Sequence, residues 1–269
     1  MINIEDVSVK RGNKTILSQI NTQIEQGEFV ALVGENGAGK STLLHTISSS
    51  FEYTGDLSFN GKPLTAWSDV ELSKQRAVLK QHQHVGFNFS VPEIIAMGRF
   101  PYDETQAKTN KIVDFYIDSM ELQPLSHRSL NSLSGGEKQR VHMARCLAQM
   151  NAFITHGSGK LLLLDEPTSA LDLKHQHKLL QKVKEFVRQG NTAIVVIHDL
   201  NLATLYADKA LLLSKGKLVA QGRPSHVFTK DNLEFVYQTP MHIGVHPTLD
   251  LPMIFSEPQE LINEISSPN

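Results

Sequence analysis

The chain of 269 residues contains a single cysteine and a single tryptophan, and its 26 Lys plus Arg almost cancel 28 Asp plus Glu. One cysteine excludes an internal disulfide and suits a reducing compartment; Cys146 lies in an amphipathic helical pattern and reads as a small core residue. A net charge of −2 leaves no basic footprint for nucleic acid or for an anionic lipid surface, so any membrane attachment has to come through a partner. No apolar run approaches the roughly 18 residues a membrane span needs, and Met1-Ile2-Asn3-Ile4-Glu5-Asp6 lacks a basic stretch followed by an apolar one. A cytosolic chain is expected. Internal repeats and low-complexity segments are also absent.

What the sequence does contain is a series of short apolar runs, each followed by a helical stretch. Val30-Ala31-Leu32-Val33 stops at Gly34, and Lys40 to Ile47 then reads as helix; Leu161 to Leu164 and Ala193 to Ile197 repeat the alternation. The alternation predicts an α/β fold around a parallel sheet, with a ligand at the carboxyl ends of the strands. Ile2 to Val9 and Thr22 to Ile24, with turn signals at Gly12-Asn13 and Gln26-Gly27, predict an N-terminal antiparallel β layer. Between Gln81 and Leu133 the pattern turns helical: Pro92 suits a first turn, and Ile112, Phe115, Tyr116 and Met120 recur at helical spacing. Lys174 to Arg188 predicts another helix, closed by Gly190 in a left-handed cap. The tail from Gln221 carries Pro224, Pro240, Pro247, Pro252, Pro258 and Pro268, and is expected to be extended apart from a helix near Asp231 to Tyr237. One domain is anticipated, with 1–81 and 146–221 as the nucleotide-binding core and its β layer, 82–145 as an inserted helical subdomain, and 222–269 as a short extension.

Gly34-Glu35-Asn36-Gly37-Ala38-Gly39-Lys40-Ser41 fits the phosphate-loop pattern G-x-x-x-x-G-K-[ST], between a strand and a helix. Its glycines let consecutive backbone N–H groups point at phosphate oxygens, and the helix adds its positive end. Lys40 is expected to reach the β- and γ-phosphates, Ser41 to bind Mg²⁺, and Thr42 to continue the phosphate-binding turn. Leu161 to Glu166 is an apolar strand ending in two carboxylates that diverge on an extended chain. Asp165 is suited to hold Mg²⁺ and Glu166 to polarise the water that attacks the γ-phosphorus. Leu133-Ser134-Gly135-Gly136-Glu137 opens a helix to about Gln149, so a serine hydroxyl and two unhindered glycine amides make a second anion site. A spare anion site beside a loop that already wraps one triphosphate suggests two copies that face each other and share nucleotides.

These motifs, with Lys138-Gln139-Arg140, Ser169-Ala170-Leu171-Asp172 and His198, stand in the order found in ABC-type ATPase subunits, and the resemblance covers essentially the whole chain. It implies a RecA-like P-loop NTPase fold that uses ATP and Mg²⁺. By resemblance, Ser134, Gly135 and Gly136 contact ATP held by the opposite subunit, Asp172 lies in the loop joining the two sites, and His198 contacts the γ-phosphate. Gln81 matches the glutamine that touches Mg²⁺ or water and begins the segment facing a membrane partner. The position usually filled by an adenine-stacking aromatic is Arg11, whose guanidinium plane can also stack on a π face. His82 and His84 have metal-like spacing without an evident third ligand.

Phe89 to Arg99, Gly222-Arg223-Pro224 and Val227-Phe228 resemble importer ATPases for iron-siderophore, haem and cobalamin. Ser169 to Gln176 and the polar insert Thr155 to Lys160 resemble haemin importers most. The resemblance implies a homodimer working with two transmembrane permease subunits and an extracytoplasmic substrate-binding protein, peripheral on the cytoplasmic face of the inner membrane. Siderophore-iron or cobalamin import is the alternative. His175 and His177 fall on a charged helix and read as solvated residues, so no direct haem contact is expected. A soluble ABC regulator usually carries two ATPase units or a long coiled-coil insertion, for which 82–132 is too short, and a small-molecule kinase would leave the Ser134 site without purpose.

Overall fold

The computed structural model describes residues 1–81, 86–152, 154 and 158–257. His82, His84, the first half of the Thr155 to Lys160 insert, Pro258 and Pro268 lie outside the described residues. β1 (Ile2–Arg11) turns Ile2, Ile4, Val7 and Val9 inward, the spacing of an antiparallel strand covered on one face. It pairs across Gly12-Asn13 with β2 (Lys14–Ile24). β2 is much longer than Thr22 to Ile24 because hairpin pairing satisfies its backbone even where register shifts interrupt the alternation. After β3 (Phe29–Gly34) and α1 (Lys40–Ile47), the strands β4 (Thr54–Phe59) and β5 (Lys62–Pro63) complete an antiparallel layer in the order β2-β1-β4-β5.

The second sheet is assembled from distant segments. Chain order runs α2 (Asp69–Gln75), β6 (Arg76–Leu79), α3 (Val91–Ala96), α4 (Gln106–Ser119), α5 (Gly135–Gln149) and β7 (Leu161–Asp165). It continues through α6 (Leu173–Arg188), β8 (Thr192–Val196), α7 (Leu200–Tyr206), β9 (Lys209–Ser214) and β10 (Lys217–Gly222). Strand order is β10-β9-β3-β8-β7-β6. Five strands run parallel, while β10 returns antiparallel along β9, so the sheet is mixed. The reversal sits at Lys215 and Gly216, with φ 46 and 78, as a two-residue hairpin turn demands.

Alternation along the buried strands divides the interior in two. Phe29, Ala31 and Val33 of β3 join one core with α4, α5 and α6, whereas Val30 and Leu32 join another with α1 and the antiparallel layer. β7 splits likewise, Leu162 and Leu164 against Leu161 and Leu163. Buried on both faces, these strands can be apolar throughout. Cys146 is fully buried in the first core.

The proline-rich tail is more ordered than an extended segment. α8 (Pro224–Val227), α9 (Lys230–Tyr237) and a hairpin of β11 (Met241–Val245) and β12 (Pro252–Ser256) follow one another. Pro224 occupies a first helical position and Pro252 a strand start, where a missing N–H does little harm. Asn201 of α7 clasps the hairpin, donating to Ile254 O at 3.1 Å and accepting from Ile254 N at 2.8 Å.

Candidate functional site

The carboxyl ends of β3, β7 and β8 deliver the loop 34–39, Asp165-Glu166 and His198 to one region. Gly34 has φ +145, and a Cβ there would stand 2.1 Å from Leu213 O; only glycine lets the loop leave the sheet at this point. Lys40 is 6% exposed, and its ammonium donates to Gly34 O at 2.7 Å and Glu35 O at 2.9 Å. Burial lowers its pKa, opposed by Glu166, Glu35 and Asp165. Glu35 braces the loop from outside, accepting from Ser214 Oγ and Lys215 N at 3.0 Å each. Asn36 and Gly37 are exposed, Ala38 and Gly39 are buried, and Ser41 and Thr42 lie in the first turn of α1.

Ser41 Oγ donates to Asp165 Oδ1 at 3.1 Å. Asp165 is 1% exposed, and burial pushes its carboxyl above the usual carboxylate range, Glu166 adding while Ser41, His45 and Lys40 oppose. His45 Nε2 stands 3.9 Å from the second oxygen. A buried carboxylate beside a hydroxyl, both hard oxygen donors, is a donor set suited to Mg²⁺.

Glu166 points elsewhere, as adjacent strand-end carboxylates should. Its φ is 50, a left-handed conformation that bulky residues rarely adopt. Gln81 Nε2 donates to Oε2 at 2.7 Å, and His198 Nε2 lies 2.6 Å from Oε1. The backbone oxygen accepts from Gln139 Nε2 at 3.2 Å and Ser169 Oγ at 3.1 Å. A cavity of about 420 Å³ opens here, bordered by Gln81, Gly135, Gln139, His142 and Glu166.

Ser134 caps α5: Glu137 N donates to its hydroxyl oxygen at 3.3 Å and Glu137 Oε2 accepts from Ser134 N at 2.8 Å. The cap uses the hydroxyl as acceptor, and its proton is shared with the Glu137 carboxylate, from which it can rotate toward another acceptor. Ser134, Gly135, Gly136, Asp172 and His175 border an adjoining hollow of about 400 Å³, which shares Gly135 with the first and to which no residue of the loop 34–39 contributes. Asp172 caps α6, accepting from His175 N at 2.8 Å, and its Oδ1 lies 2.9 Å from His175 Nδ1.

Lys40, Ser41, Asp165, Glu166, Gln81 and His198 therefore converge, while Ser134, Gly135, Gly136 and Asp172 form a second surface. Arg11, at the end of β1, has its guanidinium over the Phe51 ring, and that ring meets His45 of α1. His175 and His177 are not simply solvated: both are half-buried, and His177 Nδ1 meets Tyr206 Oη at 2.8 Å, because α7 packs along that face of α6. His45 is an addition that motif reading did not single out, and Gln139, read there only within Lys138-Gln139-Arg140, acquires a contact with the Glu166 carbonyl. His45 could have been found, since it stands four residues beyond Ser41 on the same helix face.

A family model for the ABC transporter matches residues 17–169. The hemin import ATP-binding protein HmuV of Idiomarina loihiensis is 42% identical over 259 residues, covering 96% of this chain and 100% of that one. Its namesake from Photobacterium profundum is 42% identical over 255 residues, covering 95% and 91%. Among solved structures, a metal-chelate type ABC transporter in an inward-facing conformation superposes with TM-score 0.80 at 25% identity, over 97% of this chain and 98% of that chain. A dimeric ATP-binding cassette in a post-hydrolysis state, bound to ADP and Pi, gives 0.73 at 27% identity over 83% and 99%. With the phosphate loop, the paired carboxylates and the Ser134 helix in one fold of this kind, the chain belongs to the ABC transporter family.

Proposed function

We propose that this chain is the ATP-hydrolysing, energy-coupling subunit of an importer for haem. The observation that carries the hydrolytic reading is Glu166, whose carboxylate is held between Gln81 and His198 next to the Lys40 loop. In this position Glu166 can accept a proton from an attacking water, Gln81 and His198 orient it, and Lys40 exchanges the carbonyls of Gly34 and Glu35 for β- and γ-phosphate oxygens. Ser41 and Asp165, with Gln81 nearby, would hold Mg²⁺, which when bound neutralises phosphate charge. Ser134, Gly135 and Gly136 supply amide and hydroxyl donors to a triphosphate on a second copy, with Asp172 between the two sites.

Two copies thus close around ATP and open after hydrolysis, driving two transmembrane permease subunits fed by an extracytoplasmic binding protein. Among the described residues no helix is long and apolar enough to cross a membrane; a peripheral place on the cytoplasmic face is proposed from the likeness to importer ATP-binding proteins. Cargo selection belongs to the permease and binding protein; this subunit does not touch haem. The haem assignment is supported by relatives aligned over nearly their full length. Reconstitution with the permease in vesicles tests it: ATP-dependent haem uptake that Glu166→Gln abolishes is expected, and uptake of a ferric siderophore or cobalamin but not haem would reassign the cargo.

A further inference from the structure

The guanidinium carbon of Arg11 sits 4.3 Å from the centroid of the Phe51 ring. Phe51 in turn meets His45 edge to face, with ring centroids 5.3 Å apart at 67°. His45 stands one helical turn beyond Ser41 on α1. The hairpin bearing Arg11 is seated on the phosphate loop: a Cβ at Gly39 would stand 2.6 Å from Leu17 Cδ2, and Ser18 N donates at 2.9 Å to the carbonyl of Gly216, whose own N–H donates to Ala38 O at 2.9 Å. Arg11 is consequently held at a fixed place relative to Lys40 and Ser41.

An exposed arginine has many rotamers, and binding has to order one of them. A guanidinium is planar with two faces. Arg11 is exposed while Phe51 behind it is half-buried, so one face is taken by the ring and the other is free for a second π system. We propose that Phe51 is a positioning residue for nucleotide recognition: it holds the Arg11 guanidinium flat so that adenine stacks on the opposite face. Phe51, Arg11 and the base then form three layers that stand in for the aromatic side chain absent at position 11. The inference rests on the loop at Gly34 being the ATP site.

Phe51→Leu keeps most of the volume and removes the π face. Full-length protein is titrated with ATP and, separately, with inorganic tripolyphosphate, which has no base. ATP affinity is expected to fall roughly three- to thirtyfold with tripolyphosphate affinity unchanged, and Phe51→Trp should restore ATP binding. In an Arg11→Tyr background, whose ring needs no backing, Phe51→Leu should have little further effect. Equal weakening toward both ligands would mean that Phe51 only supports α1, and would overturn the proposal. So would an unchanged ATP affinity, or an undiminished loss in the Arg11→Tyr background. Wild-type protein that binds neither ligand would fail the ATP-site reading itself, a failure visible before any substitution is made.

Discussion

His198 Nε2 and Glu166 Oε1 meet at 2.6 Å although the two residues leave the sheet on different strands. With Gln81 on the second oxygen, the carboxylate is oriented from both sides. Glu166→Gln keeps the shape and removes the base. It should bind ATP as wild type does while turnover falls on the order of 10²–10⁴-fold; a steady-state phosphate-release assay showing full activity would exclude Glu166 as the base.

The Ser134 surface makes a steric prediction. A Cβ at Gly136 would lie 2.7 Å from Ala170 O and 3.3 Å from Leu171 Cδ2. Relieving such crowding costs about 1–3 kcal/mol, and the relief must move either the start of α5 or the turn before Asp172. Gly136→Ala is therefore expected to lower turnover roughly five- to hundredfold, with little change in single-copy ATP affinity. A normal rate at saturating ATP would show that this approach of helix and turn is not needed for hydrolysis.

Because loop and lid surfaces lie apart in one chain, hydrolysis should require two. Specific activity is expected to rise with protein concentration and level off once pairs form. A rate per molecule that stays constant on dilution to a chain shown by sedimentation to be single would contradict the shared-site reading.

His142 makes a pH prediction for stability. It is 6% exposed with Nδ1 unpartnered, and burial, aided by Arg145 and Lys138, lowers its pKa from 6.5 to about 4. Below the unfolded value the unfolded chain binds a proton that the folded chain refuses until about pH 4. Stability present above pH 6.5 is thus lost as pH falls from there to about 4, by at most about 3 kcal/mol. Urea unfolding at pH 7.5 and 5 should show a loss about 2 kcal/mol smaller in His142→Gln than in wild type; identical losses would show that His142 titrates normally.

Much of the candidate site is visible in sequence because its parts are contiguous. The loop from Gly34 to Ser41 and the strand from Leu161 to Glu166 each carry their own flanking structure, so residue type and local context coincide. Contacts made by tertiary packing left no such trace. Gln139 reaches the Glu166 carbonyl only because α5 docks beside β6, the sheet neighbour of β7, and Phe51 meets Arg11 only because the β1–β2 hairpin packs against α1. The antiparallel turn of β10 was legible in principle at Lys215-Gly216. Order in the tail was hidden because six prolines suggest extension, whereas Pro224 and Pro252 sit where helix and strand tolerate them.

α5 links distant parts of the molecule. It begins at the Ser134 cap and ends under the sheet, where Arg145 and Gln149 donate to the carbonyls of Val78, Ser73 and Arg76, on and just before the strand that leads into Gln81. A rigid rod fastened in this way cannot tilt at its outer end without shifting the inner one. Any push delivered to the helical region by a neighbouring protein is therefore felt at Gln81 through the same lever that aims Ser134, and the two ends stay in step without a separate relay.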